Sequence, residues 1–366
     1  MKITILGAGN MGCANAADLT LKGHEVTLVK TSHSMHNETF NYVCAHNNEI
    51  TLWQEGEEQT ARIPAVTTDL SSVATADLVY ISTQTNVHEQ LIQRIAPLLR
   101  KGQVVLISPG YFSTAYFLRH CPDKDLTIIE GESSTIDCRV DDTGFVRVGF
   151  RNVRNPVGVY PVENLPKVRD MLESMQFHYV YLSSVVEAAL HNPNMMVHTV
   201  GAVMSIPRIE KTKGDYCMYW EVWTPSVYRI LDQLDKEKMD VLEHLGYERL
   251  NYFDACKYRN SLDDSIDARA VFEEYAASPY RAKGPVVVDS RYISEDVPQG
   301  LVMLESLGRH LSIPTPVCTA LIEIASAALG RDLRGPLHRA PGRGEHPEGL
   351  CQLPPHVLIY ELPDPH

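Results

Sequence analysis

Apolar and polar positions follow two different periods along this chain, and the change of period divides it. Up to about residue 182, short apolar runs rich in β-branched residues recur between helix-length stretches. They are KITIL at 2–6, HEVTLVK at 24–30, DLVYIST at 77–83, QVVLISPG at 103–110, LTIIEGESS at 126–134, VGVYP at 157–161 and HYVYL at 178–182. Unbroken apolar runs of this length are strands covered on both faces. Helical stretches fall between them: one ending at Lys22 before Gly23, one over 86–100, and one after Gly110. Residues 50–64, ITLWQEGEEQTARIP, alternate instead and predict a hairpin turning at Glu55-Gly56. The alternation of strand and helix predicts an α/β domain of the Rossmann type, a doubly wound parallel sheet, over residues 1–185.

Beyond residue 185 the pattern is helical. Asn192-Pro193 has the cap-then-first-turn order that opens a helix, and the apolar run MMVHTVGAVMSI continues it. Thr224-Pro225 opens another, with Ile230, Leu231, Leu234, Val241, Leu242 and Leu245 on its apolar stripe and Gly246 as its stop. Further helices are predicted near 265–277, 298–311 and 316–329, the last ended by Gly330. Residues 186–330 therefore form an all-α C-terminal domain, for substrate and catalysis or else for dimerisation. Residues 331–366 form a Pro-rich extension, an extended arm in which HVLIYEL (356–362) adds at most one strand. Its histidines, His338, His346, His356 and His366, lack metal-ligand spacing.

Composition narrows the partners. A net charge of −13 argues against nucleic acid and against an anionic membrane surface. The eight cysteines are scattered with no CxxC pair, which suits reduced thiols in a cytoplasmic protein and suggests no metal. Apolar runs are too short for a membrane span.

Two places carry chemistry. The first strand ends at Leu6-Gly7-Ala8-Gly9-Asn10-Met11-Gly12, a G-x-G-x-x-G between a strand and a helix. In that context Gly7 makes the tight turn, Gly9 admits a pyrophosphate and Gly12 lets helix and strand pack closely. The helix N-terminus offers its N–H groups to phosphate, where a structural Gly turn would bind nothing. Where an NAD-binding unit carries an acid after its second strand, this chain has Lys30-Thr31-Ser32. A lysine and two hydroxyls suit a 2′-phosphate, so NADP(H) is favoured, with NAD(H) the alternative if Lys30 is merely solvated. Thr83 and Pro109, in the turns after the 77–83 and 103–110 strands, are expected beside the cofactor, because such sheets bind ligands at strand C-termini.

The second place is Gly284–Thr315 together with the helix of His198. Arg291 and Asp296 stand five residues apart in a loop-like segment; one suits a carboxylate and the other can hold an imidazole in one tautomer. This segment and His198 are expected to meet the cofactor in a cleft. Taken alone, a histidine in an apolar helix is more often a core residue than a catalyst.

The chain resembles the opine dehydrogenase family, of the octopine, nopaline and N-(1-carboxyethyl)norvaline dehydrogenase type, over nearly all its length to Gly330. The resemblance rests on N-x-N-x-x-x-H (Asn192, Asn194, His198), T-P-S-V (224–227), Y-R (Tyr280, Arg281) and R-Y-x-x-E-D-V (291–297). G-L-V-x-L-x-x-L-G-R (300–309) and P-T-P (314–316) follow in the same order. It implies reductive condensation of an amino acid, or a related amine, with a 2-oxo acid through an imine, giving a secondary-amine dicarboxylate. It further implies His198 as acid/base group, Asp296 as its orienting partner and Arg291 as a carboxylate clamp; a homodimer is expected as the assembly. Two other readings fit the residues: an NADP-dependent 2-oxo acid or hydroxy acid dehydrogenase that needs no amine, and a non-catalytic NADP(H) sensor.

Overall fold

The computed structural model describes residues 1–277 and 284–335. Tyr280, Arg281, the tail histidines and the 356–362 segment lie outside the described residues. Internal contacts divide the chain into a first unit, Met1–Ala189 with Arg259–Leu262, and a second, Leu190–Tyr258 and Asp263 onward.

The first unit runs β1 (Lys2–Leu6), α1 (Asn10–Leu21), β2 (Glu25–Val29), α2 (Asn37–Ala45), β3 (Glu49–Gln54), β4 (Glu57–Arg62), β5 (Ala65–Thr67), β6 (Leu78–Ile81) and α3 (His88–Ile95). It continues with β7 (Val104–Ile107), α4 (Thr114–His120), β8 (Thr127–Gly131), β9 (Ile136–Asp142), β10 (Phe145–Arg151), β11 (Asn155–Tyr160), α5 (Leu165–Ser174) and β12 (Tyr179–Tyr181). Eight strands form the main sheet in the order β12-β11-β8-β7-β6-β1-β2-β5. Its central strands pair in parallel and are buried on both faces, as their unbroken apolar runs require. The order reverses between β1 and β6, the position where open sheets of this kind bind ligands.

Three features differ from the sequence reading. The 49–62 hairpin does not stand alone: β3 and β4 join β9 and β10 in a second sheet of order β4-β3-β10-β9. No element was expected over 136–151, yet both β9 and β10 lie there. That hairpin returns the chain to the end of the sheet it left, so β11 runs antiparallel to β8 and the sheet is not wholly parallel. The helix expected over 86–100 stops at Ile95, two residues before Pro97, because proline has no N–H to continue the ladder.

Helix α1 explains why the second sheet is needed. Its residues Gly12 to Leu19 are all buried. One core joins Cys13, Ala14 and Ala17 with Ile3 and Leu28 of the main sheet and with Leu52, Cys138 and Val148 of the second. A helix without a polar face must be covered on all sides, and the small residues of α1 allow two sheets to approach it. Asn10 and Asn15 add fixed points. The Asn10 Oδ1 accepts the Val140 N–H at 2.9 Å, and the Asn15 amide donates to the Tyr80 hydroxyl at 3.0 Å.

After α6 (Val185–Leu190), the second unit contains α7 (Pro193–Met204), α8 (Ile206–Thr212), α9 (Met218–Val222), α10 (Pro225–His244), α11 (Tyr252–Asn260) and α12 (Ala268–Ala276). It closes with α13 (Arg291–Ser294), a π-helical turn at Val297–Leu301, α14 (Val302–His310) and α15 (Pro316–Leu329). No strand occurs in it among the described residues. Asn192 caps α7 by accepting the Asn194 N–H at 3.1 Å. Around α7 pack α9, α10, α13, α15 and the π-turn, so its apolar run is core on nearly every side. The segment 291–296, expected as a loop, is a helical turn that runs into the π-turn.

Candidate active site

At the switch point the chain makes its tightest approach. Gly7 has a φ of +121°, and a Cβ there would stand 2.6 Å from the Ser82 carbonyl oxygen. A Cβ on Gly12 would stand 1.7 Å from the Gly7 carbonyl oxygen. Gly12 therefore serves the closure of the turn on itself more than the packing of helix on strand. Gly9 is the N-cap of α1 and Met11 lies in its first turn, which holds no acidic residue. The positive end of α1 is thus left to an external anion. His36, which the sequence pattern did not single out, places its Nε2 3.3 Å from the position of a Gly9 Cβ. A dinucleotide pyrophosphate fits this cradle of bare backbone at a helix start.

The end of β2 carries no carboxylate. Lys30 is buried, its backbone N–H bonded to the Thr67 carbonyl and its ammonium to the Ser32 carbonyl. Ser32 Oγ accepts the Met35 N–H at 3.0 Å, which shapes the loop after β2. A second cation, also missed from sequence, reaches the same loop: Arg94 of α3 donates to the Thr31 carbonyl at 3.2 Å. Only tertiary packing brings Arg94 there, and 63 residues separate the two.

Beyond β6 and β7 lie Thr83 and Pro109. A Gly7 Cβ would touch the Thr83 methyl at 3.0 Å. Pro109 follows a cis bond from Ser108, whose hydroxyl donates to the Ser133 carbonyl at 2.7 Å. Two buried ionisable groups brace these turns. His88 Nε2 faces the Thr83 carbonyl at 3.2 Å, so it carries the proton, and Nδ1 accepts from Ser113 Oγ at 2.8 Å. Burial pushes the His88 imidazole down to about 4, so it is neutral. Glu130, at the end of β8, accepts from Thr114 N at 2.5 Å and Thr114 Oγ1 at 2.7 Å. Burial raises its carboxyl to about 7 despite those bonds.

In the second unit, His198 and Asp296 come together across 98 residues of sequence, with Nδ1 2.9 Å from Oδ2. Asp296 is 1% exposed at its side chain and His198 13%. A carboxylate at that distance accepts a hydrogen bond from Nδ1–H, which fixes the tautomer and leaves Nε2 on the far side of the ring. Nε2 makes no hydrogen bond among the described residues. Tyr292 lies flat on the imidazole, ring centroids 3.9 Å apart and planes inclined by 10°. The Arg291 side chain stays half-exposed, with its Nε 3.5 Å from the buried Glu295 carboxylate. Tyr292 and Glu295 are fixed positions of the R-Y-x-x-E-D-V motif to which the sequence reading gave no role. Their spacing was a further signal, each four residues from Asp296 or Arg291 and so one helical turn away.

Among the described residues, no cluster of His, Cys, Asp and Glu could hold a metal ion, and no helix is long and apolar enough to cross a membrane.

A mostly parallel sheet with a glycine cradle at its switch point, followed by a helical unit with a histidine–carboxylate pair, defines a nicotinamide-dependent dehydrogenase of two parts. Residues 181–329 match the NAD/NADP octopine/nopaline dehydrogenase alpha-helical domain, and residues 3–111 match ketopantoate reductase PanE/ApbA. An opine dehydrogenase of Arthrobacter sp. (strain 1C) is 28% identical over 339 residues, 90% of this chain and 91% of that protein. Octopine dehydrogenase in complex with NADH and agmatine shares the fold with a TM-score of 0.71 at 16% identity, over 90% of each chain. Yersinopine dehydrogenase with NADP+ bound gives 0.68 at 16% identity, over 90% of this chain and 91% of that one. The chain is thus similar to opine dehydrogenases over most of its length, and its helical half matches the alpha-helical domain of that group.

Proposed function

We propose that this protein is an NAD(P)H-dependent opine dehydrogenase, which condenses an amino acid or related amine with a 2-oxo acid and reduces the imine to a secondary-amine dicarboxylate. The observation that carries the reading is the His198–Asp296 pair at 2.9 Å, with Arg291 five residues ahead of the carboxylate, inside the octopine/nopaline dehydrogenase alpha-helical domain.

Each residue has a step. His198 Nε2 takes a proton from the substrate ammonium, freeing the amine to attack the oxo-acid carbonyl. The same nitrogen returns a proton to the departing hydroxyl, so that water leaves and the C=N bond forms. Asp296 keeps Nδ1 protonated and stabilises the imidazolium between these events. Arg291 holds the oxo-acid carboxylate by a two-pronged hydrogen bond, which fixes the carbonyl carbon for attack. When bound, the nicotinamide dinucleotide supplies the hydride that reduces the C=N bond. Gly7, Gly9, Asn10, Met11 and Gly12 would hold its pyrophosphate, with Thr83 and Pro109 at the neighbouring turns.

The preferred cofactor is NADP(H). Two cations, Lys30 and Arg94, reach the loop after β2, and no acid stands there to take a ribose 2′-hydroxyl. Yersinopine dehydrogenase, which binds NADP+, and octopine dehydrogenase, which binds NADH, mark the two alternatives. Scattered cysteines favour a cytoplasmic enzyme, and a homodimer is the working assembly, open to light scattering.

The deciding experiment follows oxidation of NADPH and NADH by the purified protein. Pyruvate, glyoxylate, oxaloacetate and 2-oxoglutarate are each given with and without pooled amino acids. Oxidation that needs both substrates upholds the reading, and splitting the pool names the amine. Oxidation by an oxo acid alone favours a simple oxo-acid reductase, to which the ketopantoate reductase match over 3–111 would then point. Cofactor binding without turnover on any pair would leave a sensor.

A further inference from the structure

The hydrogen bond from His198 to Asp296 fixes one ring nitrogen but does not fix the ring plane. A single N–H···O contact acts as a hinge, and the imidazole can still swing about it. Tyr292 removes that freedom. Its ring covers one imidazole face at 3.9 Å, nearly parallel. Behind it, Tyr292 rests on a buried cluster of Ile209, Tyr216, Met218 and Val222. The Tyr216 hydroxyl is itself held by Ser205 Oγ at 3.0 Å. The tyrosine is thus a wedge between a fixed core and the histidine.

Tyr292 and Asp296 stand four residues apart, so one helical turn delivers both restraints. They act on His198 in perpendicular senses: the carboxylate along the ring edge, the tyrosine through the ring face. Together they hold the Nδ1 edge and one face of the ring.

We propose that Tyr292 is a positioning residue for His198, setting the plane in which Nε2 exchanges protons with substrate; this rests on the acid/base role given to His198 above. The ring face does the work, not the hydroxyl. A misplacement of an ångström at a proton-transferring atom is enough to cost about a hundredfold in rate. The oxo-acid carboxylate is assigned to Arg291 and the cofactor to the glycine turn, so the loss is expected on turnover.

The test uses the full-length protein with Tyr292→Phe and Tyr292→Leu, with Tyr292→Met in reserve should the leucine variant not fold. Tyr292→Phe is expected to keep kcat within about threefold, because the ring face remains. Tyr292→Leu is expected to lower kcat roughly 10- to 100-fold, with the KM for cofactor and oxo acid within about twofold of wild type. Proton NMR supplies a readout free of catalysis. The His198 ring resonances, identified by their loss in His198→Gln, should be shielded by the stacked ring in wild type and Tyr292→Phe and move to ordinary positions in Tyr292→Leu.

A leucine variant with wild-type kcat overturns the proposal, as does a phenylalanine variant as slow as the leucine one. Should wild type not condense an amine with an oxo acid, the proposed reaction falls and the NMR comparison alone decides. Unchanged His198 shielding in Tyr292→Leu then overturns the positioning role, and lost shielding upholds it.

Discussion

Asp296 Oδ2 stands 2.9 Å from His198 Nδ1, although the two residues belong to different helical segments 98 positions apart. The carboxylate is almost fully buried, so its interaction with the imidazole is little screened by water. Asp296→Asn keeps the shape but removes the charge and lets the amide fix the wrong tautomer. We expect kcat to fall by about 10²-fold or more, with the Kd for cofactor within about twofold. Steady-state kinetics beside cofactor titration checks this. Equal losses in both would remove Asp296 from the chemistry.

Arg291 is a candidate clamp because a planar guanidinium meets a carboxylate with two parallel bonds. Lysine keeps the charge and loses the fork. Arg291→Lys is expected to raise the oxo-acid KM by about tenfold, while the cofactor KM stays put. An unchanged oxo-acid KM would exclude Arg291 from the substrate.

Gly12 has no room for a side chain, since a Cβ would fall 1.7 Å from the Gly7 carbonyl oxygen. That neighbour is backbone and cannot rotate away, so the turn itself must move. Gly12→Ala should weaken cofactor binding more than tenfold and destabilise the first unit by on the order of 3 kcal/mol. Fluorescence titration with NADPH and denaturant melts measure the two effects. A variant with wild-type affinity would show that the turn does not hold the pyrophosphate.

Glu130 makes stability depend on pH in a stated direction. Its folded-state pKa of about 7 lies above the ordinary carboxyl value of 4.5. Between those values the folded chain holds a proton that the unfolded chain has released. The contribution of this group is therefore fully present below about 4.5 and is lost as pH rises through 7. His88 has the opposite sense, its pKa lowered to about 4, so its contribution is lost as pH falls through that value. Glu130→Gln isolates the carboxyl term. Relative to wild type, the variant should gain roughly 3 kcal/mol between pH 5 and pH 8. Denaturant unfolding at the two pH values tests it, and a constant difference would rule it out.

Much of this molecule was legible before any coordinates. Period-3.6 and continuous apolar patterns are local consequences of backbone geometry, so the βαβ opening, the 49–62 hairpin and the helices started by Asn192-Pro193 and Thr224-Pro225 followed from sequence. The glycine turn was legible for the same reason, since only glycine tolerates so close an approach. The motifs around His198 and Arg291–Val297 carried the resemblance to opine dehydrogenases.

Other features had no local signature. The hairpin at 136–151, which turns β11 antiparallel and gives α1 its second cover, depends on pairing with β3, some ninety residues earlier. Arg94 meets the loop after β2 only because α3 packs beside it. Tyr292 stacks on His198 because two helices bring them face to face. The sequence by itself determined which segments are strand, helix and glycine turn, because those choices rest on neighbours within a few residues. Which buried acid meets which histidine, and which ring lies on it, was decided only by tertiary structure, because contacts between distant residues exist only after the chain has packed.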